Sequence, residues 1–199
     1  MKTFLTCFVV FILLLGCASV EHFEYKSVTY KDVQKQVFGY GFSKSMNEKL
    51  ASDMAETTAR KNIAEQTAGM HFVYTNINGG KEMKLSIRNV ELAGVKLDKT
   101  MRMDKTGVLI SVLQFQGTIQ KPFGDGVLFS EMKTQFSDDL LKISKSRTNV
   151  LQETISSQFP KAHEVRGFIL IDTTDVGWTT HTGVIQYYES YLVVIESVI

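Results

Sequence analysis

An alanine-rich segment from Ser45 to Gly69 constrains the fold more than any other part of the sequence. Its small and apolar residues recur every three or four positions, which predicts one face of an amphipathic helix. Ser45 and Glu48 have the spacing of a capping box, and Gly69 is placed to end the helix. Because the side chains on this face are short, the helix can lie close to a β-sheet. The face comprises Leu50, Ala51, Met54, Ala55, Thr58, Ala59 and Ile63.

Strands are predicted on both sides of this helix. Residues 37–42 (VFGYGF) alternate aromatic residues with glycines, and we interpret Gly39 and Gly41 as a strand bulge or bend, since the third glycine of a phosphate-binding loop is missing. Met70 to Ile77 leads into Asn78-Gly79-Gly80, which predicts a hairpin because these residues tolerate positive φ. Residues 83–87, 95–103 and 108–115 complete the first group of strands.

The second half of the chain predicts one long helix and two more strands. Apolar residues keep a helical period from Leu128 to Phe159, although Arg147 falls where an apolar residue is expected, so that the helix is exposed there, bent, or divided in two. Strands are predicted at 165–171 and 185–195. This order predicts an α+β fold in which a mostly antiparallel, curved sheet packs against the alanine-rich helix and a second long helix.

The N-terminus has the pattern of a bacterial lipoprotein signal. Lys2 precedes an apolar stretch of about twelve residues, short of the ~20 that a membrane-spanning helix needs. Leu14-Leu15-Gly16-Cys17 then reads as a lipobox, in which cleavage follows Gly16 and the Cys17 thiol receives a diacylglycerol. The alternative is an ordinary secretion signal followed by a chance cysteine. We therefore expect a signal peptide at 1–16, a tether at 17–36, either irregular throughout or ending in a short strand, and one domain at 37–199.

Composition excludes several functional classes. Cleavage removes Lys2 from the 22 basic residues, so basic and acidic residues balance at 21 each, which offers no electrostatic footprint for nucleic acid. Cys7 leaves with the signal and Cys17 is acylated, so no disulfide, catalytic cysteine or cysteine-based zinc site is expected. Attachment to the membrane then depends on the acyl chains on Cys17.

No residue pattern predicts a catalytic site, a metal site or a cofactor. His22, His71, His163 and His181 lack metal-ligand spacing, and no activated serine motif is present. The only candidate contact region is the loop predicted over residues 172–183, which contains Asp172, Asp175, Trp178 and His181. Trp178 is interpreted either as an exposed contact for a partner or as a side chain closing the edge of the core.

The lipobox, the Gly-x-Gly strand and the helix segment Thr58-Ala59-Arg60-Lys61-Asn62-Ile63-Ala64 together resemble the LPP-twenty lipoprotein family. The resemblance covers residues 37–115 and implies an α+β envelope lipoprotein with no established catalysis. The same helix is similar to the N-terminal domain of the flagellar-ring assembly protein FlgT. Residues 37–117 therefore form a family-like core, and residues 118–199 are an elaboration that departs from both families.

The sequence predicts a lipid-anchored, non-enzymatic binding or structural module whose partner is an envelope protein. A flagellar or other envelope-assembly factor is the alternative, and an envelope hydrolase would need a polar cluster that no spacing provides. Ala18 after the cysteine favours the outer membrane, on its periplasmic side or at the cell surface. The sequence leaves open which partner is bound and whether the chain forms oligomers.

Overall fold

The computed structural model describes residues 28–88, 90–102, 107–136, 140–179 and 184–199. Within these ranges the chain forms eight strands and two helices. In chain order they are β1 (Thr29–Ser43), α1 (Glu48–Thr67), β2 (Met70–Ile77), β3 (Gly80–Ile87), β4 (Lys96–Arg102), β5 (Leu109–Phe123), β6 (Val127–Phe136), α2 (Leu140–Gln158), β7 (Glu164–Thr179) and β8 (Val184–Val198).

The strands form two antiparallel sheets. The small sheet has the order β1-β5-β4, and the large sheet has the order β3-β2-β7-β8-β6. This arrangement confirms the predicted α+β class and the antiparallel pairing, but the single curved sheet that we expected is divided in two. In the described part of the chain, no helix is both long enough and apolar enough to cross a membrane.

Helix α1 packs on the small sheet through the predicted alanine face. Ala51, Ala55, Ala59 and Ile63 are fully buried, as their spacing predicts. Leu50 and Met54, which the prediction placed on the same face, are instead about half exposed, so the buried face is narrower than expected. The cap differs from the prediction, because the side chain of Asn47, and not that of Ser45, accepts a hydrogen bond from the Leu50 amide at 3.0 Å. At the other end, Gly69 has a φ of +81°, which a residue with a side chain rarely adopts.

Two glycines of β1 let α1 approach the sheet. A Cβ atom on Gly41 would lie 1.7 Å from the Ala55 carbonyl oxygen, and one on Gly39 would lie 2.3 Å from that of Ala59. The β1–β5 register runs without a shift through both positions, so the predicted bulge is wrong. The glycines instead leave room for the helix backbone, which is a known use of glycine in strands.

Helix α2 covers the large sheet and encloses the second core. Leu151 and Ile155 of α2 pack with Phe72, Ile169 and Val193 from the central strands. The hairpin between β2 and β3 follows the prediction, since Asn78 and Gly79 both have positive φ.

The predicted helix from residue 128 is wrong over its first part. Residues 127–136 form β6, which pairs with β8, and α2 begins only at Leu140. Leu128, Met132 and Phe136 are spaced by four residues, and this spacing fits one face of a strand as well as one face of a helix. The spacing of the apolar residues alone therefore did not distinguish a strand from a helix.

Two further segments are strands. Residues 29–36, at the end of the expected tether, pair with residues 116–123 of β5. Pro122 is tolerated because β4 pairs only with residues 109–114, which leaves the other side of β5 unpaired at the proline. The predicted loop at 172–183 is wrong as well, since β7 continues to Thr179 and β8 begins at Val184.

Candidate functional site

Residues 29–36 of β1 and 116–123 of β5 form a two-stranded extension of the small sheet, here called the ribbon. The ribbon lies against β7 of the large sheet. The Tyr30 and Phe168 rings stack with centroids 6.4 Å apart, and Lys35 Nζ lies 2.7 Å from Asp172 Oδ1. These contacts join the two sheets across a face of the large sheet opposite α2.

A groove of about 390 Å³ opens between the ribbon, the C-terminal end of α1, Arg88 with residues 90–92, and β7. We call it the Arg88 groove. Its volume falls in the range of about 300–1,000 Å³ that is typical of small-molecule sites. Apolar and aromatic walls surround a few polar groups. The walls include Tyr30, Val90, Leu92, Phe115 and Phe168, and the polar residues are Thr67, Arg88, Glu91, Thr118 and Gln120.

Arg88 is the most distinctive side chain of this groove. Its guanidinium carbon lies 4.7 Å from the centroid of the buried Phe168 ring, which is a cation–π arrangement. Its Nη1 donates a long hydrogen bond of 3.4 Å to the Ala68 carbonyl oxygen. Among the described residues, no carboxylate pairs with Arg88. Four of the five N–H donors of a guanidinium are thus left for other groups.

The electrostatics of the groove are mixed. Helix α1 has no basic residue in its last turn, so Arg88 is the cation that faces its C-terminal carbonyls. Glu91 is exposed, lines the groove and contributes a negative charge. One positive charge therefore shares the groove with a carboxylate and the negative end of a helix dipole.

A second, smaller cavity of about 170 Å³ lies further along the ribbon. It shares Ile119 and Leu170 with the Arg88 groove, so these two side chains separate the two spaces. The Lys35–Asp172 ion pair lines the smaller cavity. Both spaces exist because the ribbon crosses the large sheet without filling the gap between them.

The most strongly buried charges lie elsewhere, in a cluster around Arg147. Its Nη2 and Nε donate to the two Glu189 carboxylate oxygens at 2.7 and 3.0 Å, and Nη1 donates to Glu65 Oε2 at 3.2 Å. The Arg147, Glu65 and Glu189 side chains are 7%, 8% and 0% exposed. The cluster connects α1, α2 and β8 through a bidentate arginine–carboxylate pair.

Tyr191 completes this cluster. Its hydroxyl donates to Glu189 Oε2 at 2.7 Å. Burial, followed by the adjacent Glu189 carboxylate, raises the pKa of Tyr191 far above its ordinary value of 10.0. The hydroxyl therefore stays protonated and remains a donor at neutral pH. The cluster lines neither of the two cavities described above, and its hydrogen bonds connect α1, α2 and β8.

The residues that the sequence singled out do not come together in one site. Gly16, Cys17 and His181 lie outside the described residues. Asp172, Asp175 and Trp178 lie on β7, and Asp175 and Trp178 face Tyr187 and Ile185 of β8 in the register. Only Asp172 has a described side-chain contact, the ion pair with Lys35.

Sequence reasoning missed the groove residues. Tyr30, Arg88 and Phe168 come from three distant segments, and no local pattern connects them. For the buried cluster one signal existed, since Arg147 interrupts the apolar face of α2. In the structure the arginine is buried and paired within a continuous helix.

Within the described ranges, no three histidine, cysteine, aspartate or glutamate side chains are grouped so that they could hold a metal ion. Of the two cavities described above, the Arg88 groove is the larger, and we take it as the candidate binding site. No family model, curated protein or solved structure matches the chain.

Proposed function

We propose that this protein is a lipid-anchored, non-catalytic module of the bacterial cell envelope that binds a ligand or a partner segment in the Arg88 groove. The observation that carries the proposal is the groove itself, where a half-buried arginine with unused donors stands beside aromatic walls. A few polar groups in a mostly apolar concave surface are the usual composition of a binding site.

The anchor gives this binding a location. Cys17 and Tyr30, which lines the groove, are separated by thirteen residue steps, and a fully extended chain spans at most about 3.6 Å per residue. The groove would thus be held within about 47 Å of the membrane surface. The proposed role is to hold a bound group at the membrane, and the resemblance to LPP-twenty lipoproteins implies that this membrane belongs to the cell envelope.

Replacing Cys17 with serine should release the protein from membranes, because a hydroxyl does not accept the diacylglycerol. Cell fractionation together with metabolic labelling by palmitate measures this effect. Ala18→Ser is a matched control beside the modified residue and should keep both the label and the membrane fraction. Unchanged labelling of Cys17→Ser would contradict the lipid anchor.

Replacing Tyr30 with alanine should weaken capture of the bound partner, because half of this ring is exposed at the groove. Affinity purification of the acylated protein from membranes, with quantitative mass spectrometry of co-purified molecules, measures the loss. Phe129→Ala is the control, since Phe129 is 62% exposed on β6 and does not line the groove. If both variants co-purified equal amounts of the partner, the Arg88 groove would not be its binding site.

A further inference from the structure

We infer that the Arg88 groove recognises a ligand with a single carboxylate next to an apolar or aromatic group. This inference rests on the proposed function of the groove as a binding site and specifies the chemistry of its ligand. It follows from three features of the groove: a guanidinium that has no carboxylate partner among the described residues, the negative groups around it and the apolar wall.

The guanidinium of Arg88 indicates the carboxylate. Arginine presents its donors in a planar fork that matches the two oxygens of a carboxylate. Here one donor makes a single long hydrogen bond to a carbonyl oxygen, and the guanidinium carbon lies over the Phe168 ring. Arg88 is also partly withdrawn from solvent, which strengthens a charge-assisted hydrogen bond.

The surroundings of Arg88 limit the ligand to one negative charge. The C-terminal end of α1 is the negative end of its dipole, and its last carbonyls lie beside the guanidinium. Glu91 adds a full negative charge to the same lining. A carboxylate held by Arg88 satisfies the one cation, whereas a doubly charged phosphate would place its second charge among groups of its own sign.

The walls indicate the rest of the ligand. Val90 is 43% exposed, and the partly buried Leu92 and Phe115 stand beside it along the groove. An apolar or aromatic group on these side chains would remove their exposed surface from water, which is favourable. The groove lies at the small end of the usual range of volumes, so the fitting ligand has the size of a capped amino acid or the last residues of a peptide.

The test compares three probes on the full chain in lipid nanodiscs by isothermal titration calorimetry. They are N-acetyl-phenylalanine, its neutral carboxamide and phenyl phosphate. The acid should bind at least about tenfold more tightly than the carboxamide, since only the acid forms the charge-assisted pair. Phenyl phosphate should bind more weakly than the acid at pH 8, where it is doubly charged.

Arg88→Gln should remove the preference for the acid over the carboxamide, and Arg88→Lys should retain part of it because the charge remains while the planar fork is lost. Lys84→Gln, an exposed cation on β3 outside the groove, should leave all three affinities unchanged. Melting curves of each variant establish that the fold is intact.

Several results would overturn the inference. Equal affinities for the acid and the carboxamide would show that the groove does not recognise a carboxylate, although it would still be a binding site. Tighter binding of phenyl phosphate than of the acid would show that the groove accepts a ligand with two negative charges. Absence of binding by all three probes at millimolar concentration would reject this ligand class. The Tyr30→Ala capture experiment tests the proposed function separately, so its failure and the failure of this inference are distinguishable.

Discussion

Replacing Arg147 with methionine should lower the free energy of unfolding by about 3–5 kcal/mol, the usual cost of removing one partner from a buried ion pair. Methionine fills much of the same volume, so the loss comes from the carboxylates of Glu65 and Glu189, which are almost completely withdrawn from water. Chemical denaturation of the purified protein, followed by circular dichroism, measures the change.

The matched control is Arg166→Met, because Arg166 pairs with Glu164 at the surface with 58% of its side chain exposed. Exposed pairs contribute about 0–1 kcal/mol, so this variant should be close to the wild type. A triple variant with Arg147→Met, Glu65→Gln and Glu189→Gln should recover much of the lost stability, because it leaves no buried charge of the cluster. Equal stability of Arg147→Met and Arg166→Met would show that the cluster is not buried in solution.

Replacing Ala59 with lysine should cost about 3 kcal/mol or more in the free energy of unfolding. Ala59 is fully buried with Val37, Ile63 and Leu113, and a Cβ on Gly39 would already lie 2.3 Å from its carbonyl oxygen. The helix is therefore too close to the sheet for a long side chain, and a lysine there would also lose its hydration. Thermal and chemical unfolding of the purified variant give the cost.

Thr57→Lys is the control for this substitution, since Thr57 is exposed on the same helix and lysine is a good helix former. Its stability should lie within about 0.5 kcal/mol of the wild type. If Ala59→Lys and Thr57→Lys melted at the same temperature, the packing face of α1 would be assigned wrongly.

The Arg147 cluster and the alanine face have related consequences for the groove. Helix α1 is fixed to the small sheet through its alanines and to α2 through the Glu65–Arg147 ion pair. The groove opens where the end of this helix meets the ribbon and β7. The position of Arg88 beside Ala68 therefore depends on contacts that lie outside the groove.

The sequence predicted local features correctly where a residue pattern allows only one backbone structure. The alanine spacing fixed the buried face of α1, and Asn78-Gly79 fixed the hairpin between β2 and β3, because each depends on neighbours within a few residues. The predictions failed at β6 and at the C-terminal part of β7. In β6 the spacing of four residues fits the period of a strand as well as that of a helix. In β7 the threonine-rich polar residues suit an exposed strand as well as a loop.

The amino-acid pattern was enough to predict the α+β class, the buried alanines of α1 and, as an expectation, a lipid anchor at Cys17. It did not predict that the strands divide into two sheets, that Arg147 is buried between Glu65 and Glu189, or that Tyr30, Arg88 and Phe168 meet in one groove. These partners are far apart along the chain. Helical period and turn chemistry act over a few residues, whereas an ion pair or a groove forms between segments that only the packing of the two sheets brings together.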